Sequence, residues 1–181
     1  MIIIFGPAGS GKSVQGQILA ARHNWRWLSA GQLLRDTHDL SLMQQMQTGE
    51  LVNPEIVNQI MNKAFHKAKD IDHVVLDGFP RQLEQAKWLL DTQPQHKRAV
   101  NLVVVLDVPK EELIRRIQLR GRADDTAKAI EERLAIFAKE INPIIAFFKS
   151  QDIRVTPIDG TGTVGQVHDR IEAELQSCSL V

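Results

Sequence analysis

Gly6-Pro7-Ala8-Gly9-Ser10-Gly11-Lys12-Ser13 follows directly on the apolar run Met1 to Phe5 and matches the spacing G-x-x-x-x-G-K-[ST] at every fixed position. Glycines at 6, 9 and 11 let a loop curl until successive backbone N–H groups face one anion. A helix beginning at the end of the loop adds its positive N-terminus, and Lys12 adds a full charge. Every part of that assembly favours phosphate, so the stretch implies binding of nucleotide phosphates. A buried strand running into such a loop and then a helix is also how a parallel α/β sheet begins.

The rest of the chain keeps that alternation. Short apolar runs at Ile2 to Phe5, Trp25 to Leu28, His73 to Leu76, Leu102 to Leu106 and Ile153 to Ile158 are separated by longer segments of helical spacing. The runs are continuous Val, Ile and Leu rather than alternating, as expected for strands whose two faces are both covered by helices. The clearest helix carries Ile130, Leu134, Phe137, Ile141, Ile144 or Ile145, and Phe148 in one apolar stripe, with Pro143 expected to interrupt and kink it. Residues 30–72 hold helical pieces and no strand pattern, and read as a helical flap inserted between the second and third strands. Trp25 and Trp27 border a strand and are expected in the core, and Gly16 either permits close packing or lowers the stability of the first helix.

A length of 181 residues suits one domain. Lys plus Arg and Asp plus Glu both number 22, so the charge balance gives no reason to expect nucleic acid or an anionic membrane as partner. Cys178 is the only cysteine, which excludes an internal disulfide and any multi-cysteine zinc site. The absence of a membrane-length apolar run or a signal-like leader leads to the expectation of a soluble, cytoplasmic protein.

Two further constellations carry charge. Asp77-Gly78-Phe79-Pro80-Arg81 sets an acid at the carboxyl end of the third strand and an arginine at the start of the next helix. Alone, this reads as a capped turn and a solvated arginine; beside a phosphate loop on the same sheet edge, the pair can face the bound phosphates. Arg116, Arg120 and Arg122, with Arg133 on the next helix, bring four guanidinium groups toward one turn, and their rigid forks suit phosphate oxygens. Asp124 and Asp125 are expected to include the cap of the following helix.

With these pieces in order, the chain resembles the nucleoside monophosphate kinases, and the adenylate kinases most closely. The resemblance spans residue 1 to about residue 176. It rests on the phosphate loop with Gln15, on Leu28-Ser29-Ala30-Gly31-Gln32-Leu33-Leu34-Arg35, Gly49-Glu50-Leu51-Val52, Asp77 to Arg81 with Gln85, and Arg120-Gly121-Arg122-Ala123-Asp124-Asp125. It implies a P-loop NTPase three-layer sandwich, a five-stranded parallel sheet flanked by helices. The core would be residues 1–29, 59–119 and 126–181, the monophosphate-binding flap 30–58, and a vestigial lid turn 120–125.

By the same resemblance Gly9, Ser10, Gly11, Lys12, Ser13 and Val14 would hold the donor phosphates, with Arg116 and Gly162 against the ATP base and Arg120 on its phosphates. Arg35 and Arg81 would clamp the AMP phosphate. Ala30, Met46, Glu50, Leu51, Val52, Val57, Gly78 and Gln85 would line the rest of the acceptor pocket, and Arg122 and Arg133 would meet phosphate at the transfer point. Lys12, Arg81, Arg116, Arg120, Arg122 and Arg133 would be the catalytic set. Mg2+ is the implied cofactor, held by Ser13 and, through water, by Asp77, with no structural zinc. ATP and AMP are the implied small-molecule partners, nucleic acid and membrane are not expected, and a monomer is expected with an oligomer left open.

Three departures from the family pattern carry information. Ser13-Val14 stands where relatives have Gly-Thr, moving the hydroxyl to the position that ordinary P-loop proteins use for Mg2+. Ala30 replaces the threonine common in adenylate kinases and matches the UMP/CMP kinases, whereas Gln85 can donate and accept along one edge of adenine. Only Gly121 separates Arg120 from Arg122, so the lid is nearly absent. The expected activity is reversible ATP-to-AMP phosphoryl transfer; alternatives are UMP/CMP or broad-specificity transfer and, in another class, a non-catalytic adenine-nucleotide sensor.

Overall fold

In the computed structural model, which describes residues 1–121 and 125–181, five strands form one parallel sheet. They are β1 (Ile2–Phe5), β2 (Arg26–Ser29), β3 (Val74–Asp77), β4 (Leu102–Asp107) and β5 (Arg154–Asp159), in the spatial order β2-β3-β1-β4-β5. Four strands extend one residue beyond their apolar runs at the carboxyl end, and three of them begin one residue later. The polar residue that ends each one (Ser29, Asp77, Asp107, Asp159) pairs in register with its neighbours and so reaches the functional edge of the sheet.

Alternation along β1 divides the core. Ile3 and Phe5 pack on one face with Leu28, Leu76 and Val103, while Ile2 and Ile4 pack on the other with Val75, Val104 and Leu106. The second face is covered by α1 (Lys12–His23), through Leu19, and α8 (Val164–Ser177), through Val167, Ile171 and Leu175. The first is covered by α4 (Pro54–Lys67), α5 (Leu83–Thr92) and α7 (Ala127–Ser150), reached through α2 (Ala30–Arg35) and α3 (Leu40–Thr48). With α6 (Lys110–Arg120) completing the crossover from β4, the result is the expected three-layer sandwich, with α2, α3 and α4 between β2 and β3.

Two local expectations change. Pro143 does not break α7, which is helical from Ala127 to Ser150. Pro143 and Lys139, whose carbonyl loses its partner, both face solvent, while Ile144 and Phe148 on the other side are fully buried. Trp27, on edge strand β2, and Trp25, just before it, are half-buried at the rim of the core, and Trp25 is stacked between His23 and His73. Gly16 is a close-packing glycine: a Cβ there would lie 2.7 Å from Trp27 Cδ1.

The chain turns from β1 outward to β2, returns to β3 and crosses to β4 on the far side of β1. The crevice that this reversal opens at the strands' carboxyl ends is where α/β sheets bind ligands.

Candidate active site

The phosphate loop delivers the chain from β1 to α1 across that crevice. Gly11, at φ +96°, is the N-cap of α1 and brings no side-chain cap. α2, α3, α4, α7 and α8 are capped by Ser, Asp, Asn or Thr side chains; α5 and α6, like α1, are not, but only α1 starts on a glycine of the phosphate-loop motif. The N–H groups at the positive end of a helix suit an anion. Lys12 Nζ donates back over the loop to Pro7 O at 3.0 Å, which keeps its charge at the mouth. Ser13 Oγ donates to Asp77 Oδ2 at 2.6 Å, joining the two expected Mg2+ contacts. Two hard oxygen groups beside a phosphate cradle suit an ion that takes few protein ligands and completes its shell with phosphate and water. Among the described residues no cluster of three or more His, Cys, Asp or Glu forms a preassembled metal site.

A cleft of about 430 Å³ opens on one side of the loop. Gly9, Ser10, Gly11, Lys12, Ser13 and Val14 line it together with Arg116, Arg120 and Gly162. Arg116 is fixed there by Glu112 Oε1 at 2.7 Å and by Gly160 O at 3.1 Å. Glu112 also takes Arg115, and these hydrogen bonds, Arg115 first and Arg116 next, bring its carboxyl down to about 2. Glu112 and Arg115 were not anticipated as parts of this wall; their i, i+3 and i, i+4 spacing on α6 is the signal that could have found them.

On the other side lies a tighter pocket of about 110 Å³, formed by Ala30, Arg35, Met46, Glu50, Leu51, Val52, Val57, Gly78, Arg81, Gln85 and Arg133. Arg35 and Arg81 converge: a Cβ on Gly31 would lie 3.7 Å from Arg35 Nη1 and 3.8 Å from Arg81 Nη2. Arg81 lies in the turn before α5, not on the helix, and its Nε donates to Gly78 O at 3.0 Å. Gln85 Oε1 accepts from Arg81 N at 2.7 Å. Because a backbone N–H can only donate, the amide's orientation is set, leaving both Nε2 hydrogens and one Oε1 lone pair for a ligand. Although water reaches the Arg81 side chain, its enclosure by protein lowers the guanidinium's pKa. Asp77 opposes that shift, and Arg133 and Arg35 add to it. Such crowding of cations is relieved by a bound polyanion.

Asp125 links the remaining arginines. It does not cap α7; Thr126 does, accepting from Ala129 N at 3.2 Å. The Asp125 carboxylate instead receives Arg120 twice, at 3.0 and 2.6 Å, and Arg133 Nη1 at 3.1 Å. Arg133 Nη2 also donates to Met46 O at 2.8 Å. Arg122 and Asp124 lie outside the described residues. Lys12, Ser13 and Arg120 border both clefts, so the larger and the smaller cavity meet at one point.

Comparison with known proteins points the same way. Residues 4–153 match the family described as Adenylate kinase. A protein named Adenylate kinase from Prochlorococcus marinus subsp. pastoris is 36% identical over 154 residues, covering 82% of this chain and 83% of its own. One of the same name from Maricaulis maris is 34% identical over 185 residues, covering 97% and 98%, and one from Thermus thermophilus is 31% identical over 184 residues, covering 96% of each.

Proposed function

Because the chain belongs to the adenylate kinase family and is a phosphotransferase, we propose that it moves the γ-phosphoryl group of ATP reversibly to AMP, giving two ADP. The observation that carries this reading is the meeting of two cation-lined clefts at Lys12, Ser13 and Arg120. ATP occupies the larger cleft with its phosphates on the Gly9–Val14 loop and its base beside Arg116 and Gly162. AMP occupies the smaller pocket, in the flap of residues 30–58, with its phosphate on Arg35 and Arg81. Residues 120–125 stand at the place in the sequence where relatives carry a lid.

An AMP phosphate oxygen attacks the γ-phosphorus in line, and the bond to the β–γ bridging oxygen breaks as the new bond forms. No side-chain nucleophile takes part, so the residues supply alignment and charge compensation. Lys12 and the N–H groups of the loop hold the migrating group, Arg120 and Arg133 neutralise its equatorial oxygens, and Arg81 orients the attacking phosphate. Arg122 belongs to the same set by its place in the motif. Mg2+, when bound, neutralises the β- and γ-phosphate oxygens; Ser13 would hold it directly and Asp77 through water.

The acceptor base has two candidates. Gln85, with donors and one acceptor facing the pocket, supports adenine. Ala30, 2% exposed at the pocket wall where a hydroxyl is common in relatives that use AMP, favours the UMP/CMP alternative. An acceptor panel of AMP, CMP, UMP and GMP with Mg-ATP decides between them. AMP is expected to give the highest kcat/KM. CMP or UMP ahead of AMP would reassign the base, and no phosphorylated acceptor would favour a nucleotide sensor.

A further inference from the structure

With only four residues between Arg120 and Asp125, covering the transfer point falls to other elements, and the flap reaches α7 beside it. The last turn of α3 lies on the first turns of α7. Gly49, the C-cap of α3 at φ +88°, is buried against α7 so closely that a Cβ would lie 2.9 Å from Ala129 O and 3.2 Å from Ala129 Cα. The Glu132 side chain stands 3.3 Å from the same point. Beside this contact, Arg133 Nη2 donates to Met46 O, a carbonyl in the last turn of α3, where the helix end is negative and a cation is favoured. The other arm of the same guanidinium is on Asp125. Arg133 thereby ties the flap to Asp125, and both Gly49 and Arg133 line the acceptor pocket.

We propose that Gly49 is a positioning residue: its missing side chain lets the Met46–Gly49 turn seat on α7, and this seat, fastened by Arg133, holds the acceptor pocket closed in place of a lid. The proposal rests on the assignment of the smaller pocket to the monophosphate. Seating has a chemical purpose, since water competes with the acceptor for the γ-phosphoryl group whenever the junction of the two clefts is open. Leu51 and Val52 follow Gly49 directly in the pocket wall, so displacing the turn displaces the wall with it.

Gly49→Asn tests this. Asparagine tolerates a left-handed backbone, so the variant adds bulk at the seat with little conformational strain. Gly49→Ala, smaller but more strained at this φ, is the companion variant. Steady-state kinetics should give a KM for AMP raised about tenfold, with the KM for ATP within about twofold of the parent. ATP hydrolysed per AMP phosphorylated should rise at subsaturating AMP. Hydrogen exchange of the ligand-free protein is the second readout: amides in residues 42–52 should exchange faster in both Gly49 variants, and in Arg133→Lys, whose single ammonium cannot span Asp125 and Met46 O. Unchanged exchange in residues 42–52 together with an unchanged AMP KM would overturn the seat. The exchange arm needs no turnover, so a parent protein that fails to phosphorylate AMP would sink the kinase reading while leaving the seat separately testable.

Discussion

At the level of single residues, the junction of the two clefts is a charge-balancing device. Lys12 is fastened over the loop mouth by Pro7 O, and Arg81 by Gly78 O, so both cations are in place before a substrate arrives. Fixed cations of this kind act on the charge that develops during transfer. Replacing either Lys12 or Arg81 by alanine should lower ATP-to-AMP kcat/KM by at least about 100-fold, read in a coupled ADP assay. A loss below about tenfold at both positions would mean that the transferring group is handled elsewhere. Arg81 was legible from its distance to a strand end, and its convergence with Arg35 was implied by the family resemblance. The part played by Asp125 was not. In the sequence an acid shortly before a helix reads as a cap, and only the fold reveals that Thr126 has taken that place, releasing Asp125 to Arg120 and Arg133.

Among the elements, α1 is set apart by the glycine at its start. α2, α3, α4, α7 and α8 bring their own side-chain caps and α1, α5 and α6 do not; of these three only α1 starts on a glycine, at the end of the loop that lines the larger cleft. That contrast follows directly from Gly11-Lys12-Ser13 and could be read before the fold was known. The course of α7 could not: the cost of Pro143 depends on whether the carbonyl it deprives faces water or protein, and sequence periodicity shows only that the opposite face is apolar. Packing of α1 on β2 yields a stability prediction. In Gly16→Ala the new methyl would lie 2.7 Å from Trp27 Cδ1, on an indole half-buried at the sheet edge. The variant is expected to lose about 1–3 kcal/mol, seen as a lower urea midpoint. An unchanged or raised midpoint, with the helix-propensity gain showing through, would mean that Trp27 moves aside freely.

Viewed as one molecule, the sheet sets the distance between the two clefts, and its order β2-β3-β1-β4-β5 puts Ser29, Asp77 and the loop after β1 along one edge. The parallel sheet and its crossovers were readable from the spacing of apolar runs. The depth of each cleft was not, because it depends on contacts between elements far apart in the chain, such as Arg133 with Met46. Stability should also carry a mark of the histidines. His73, His96 and His168 are each held below the ordinary imidazole value of 6.5, with burial the leading cause. The unfolded chain therefore takes up protons at these sites first as the pH falls below 6.5, so the histidines' contribution to stability is full above that value and is lost as the pH falls toward their lower folded values. A urea midpoint lower at pH 5.5 than at pH 7.5 is expected, and the decline should lessen in His168→Gln; a midpoint flat over that range would show that these sites titrate alike in both states.

The most direct test of the two-cradle account is calorimetric titration of the protein with AMP in the presence of saturating non-hydrolysable Mg-ATP analogue. One AMP per chain should bind with the analogue still in place, and Arg81→Ala should lose the AMP while keeping the analogue. AMP that binds only by displacing the analogue, or an Arg81→Ala variant that loses both ligands together, would contradict it.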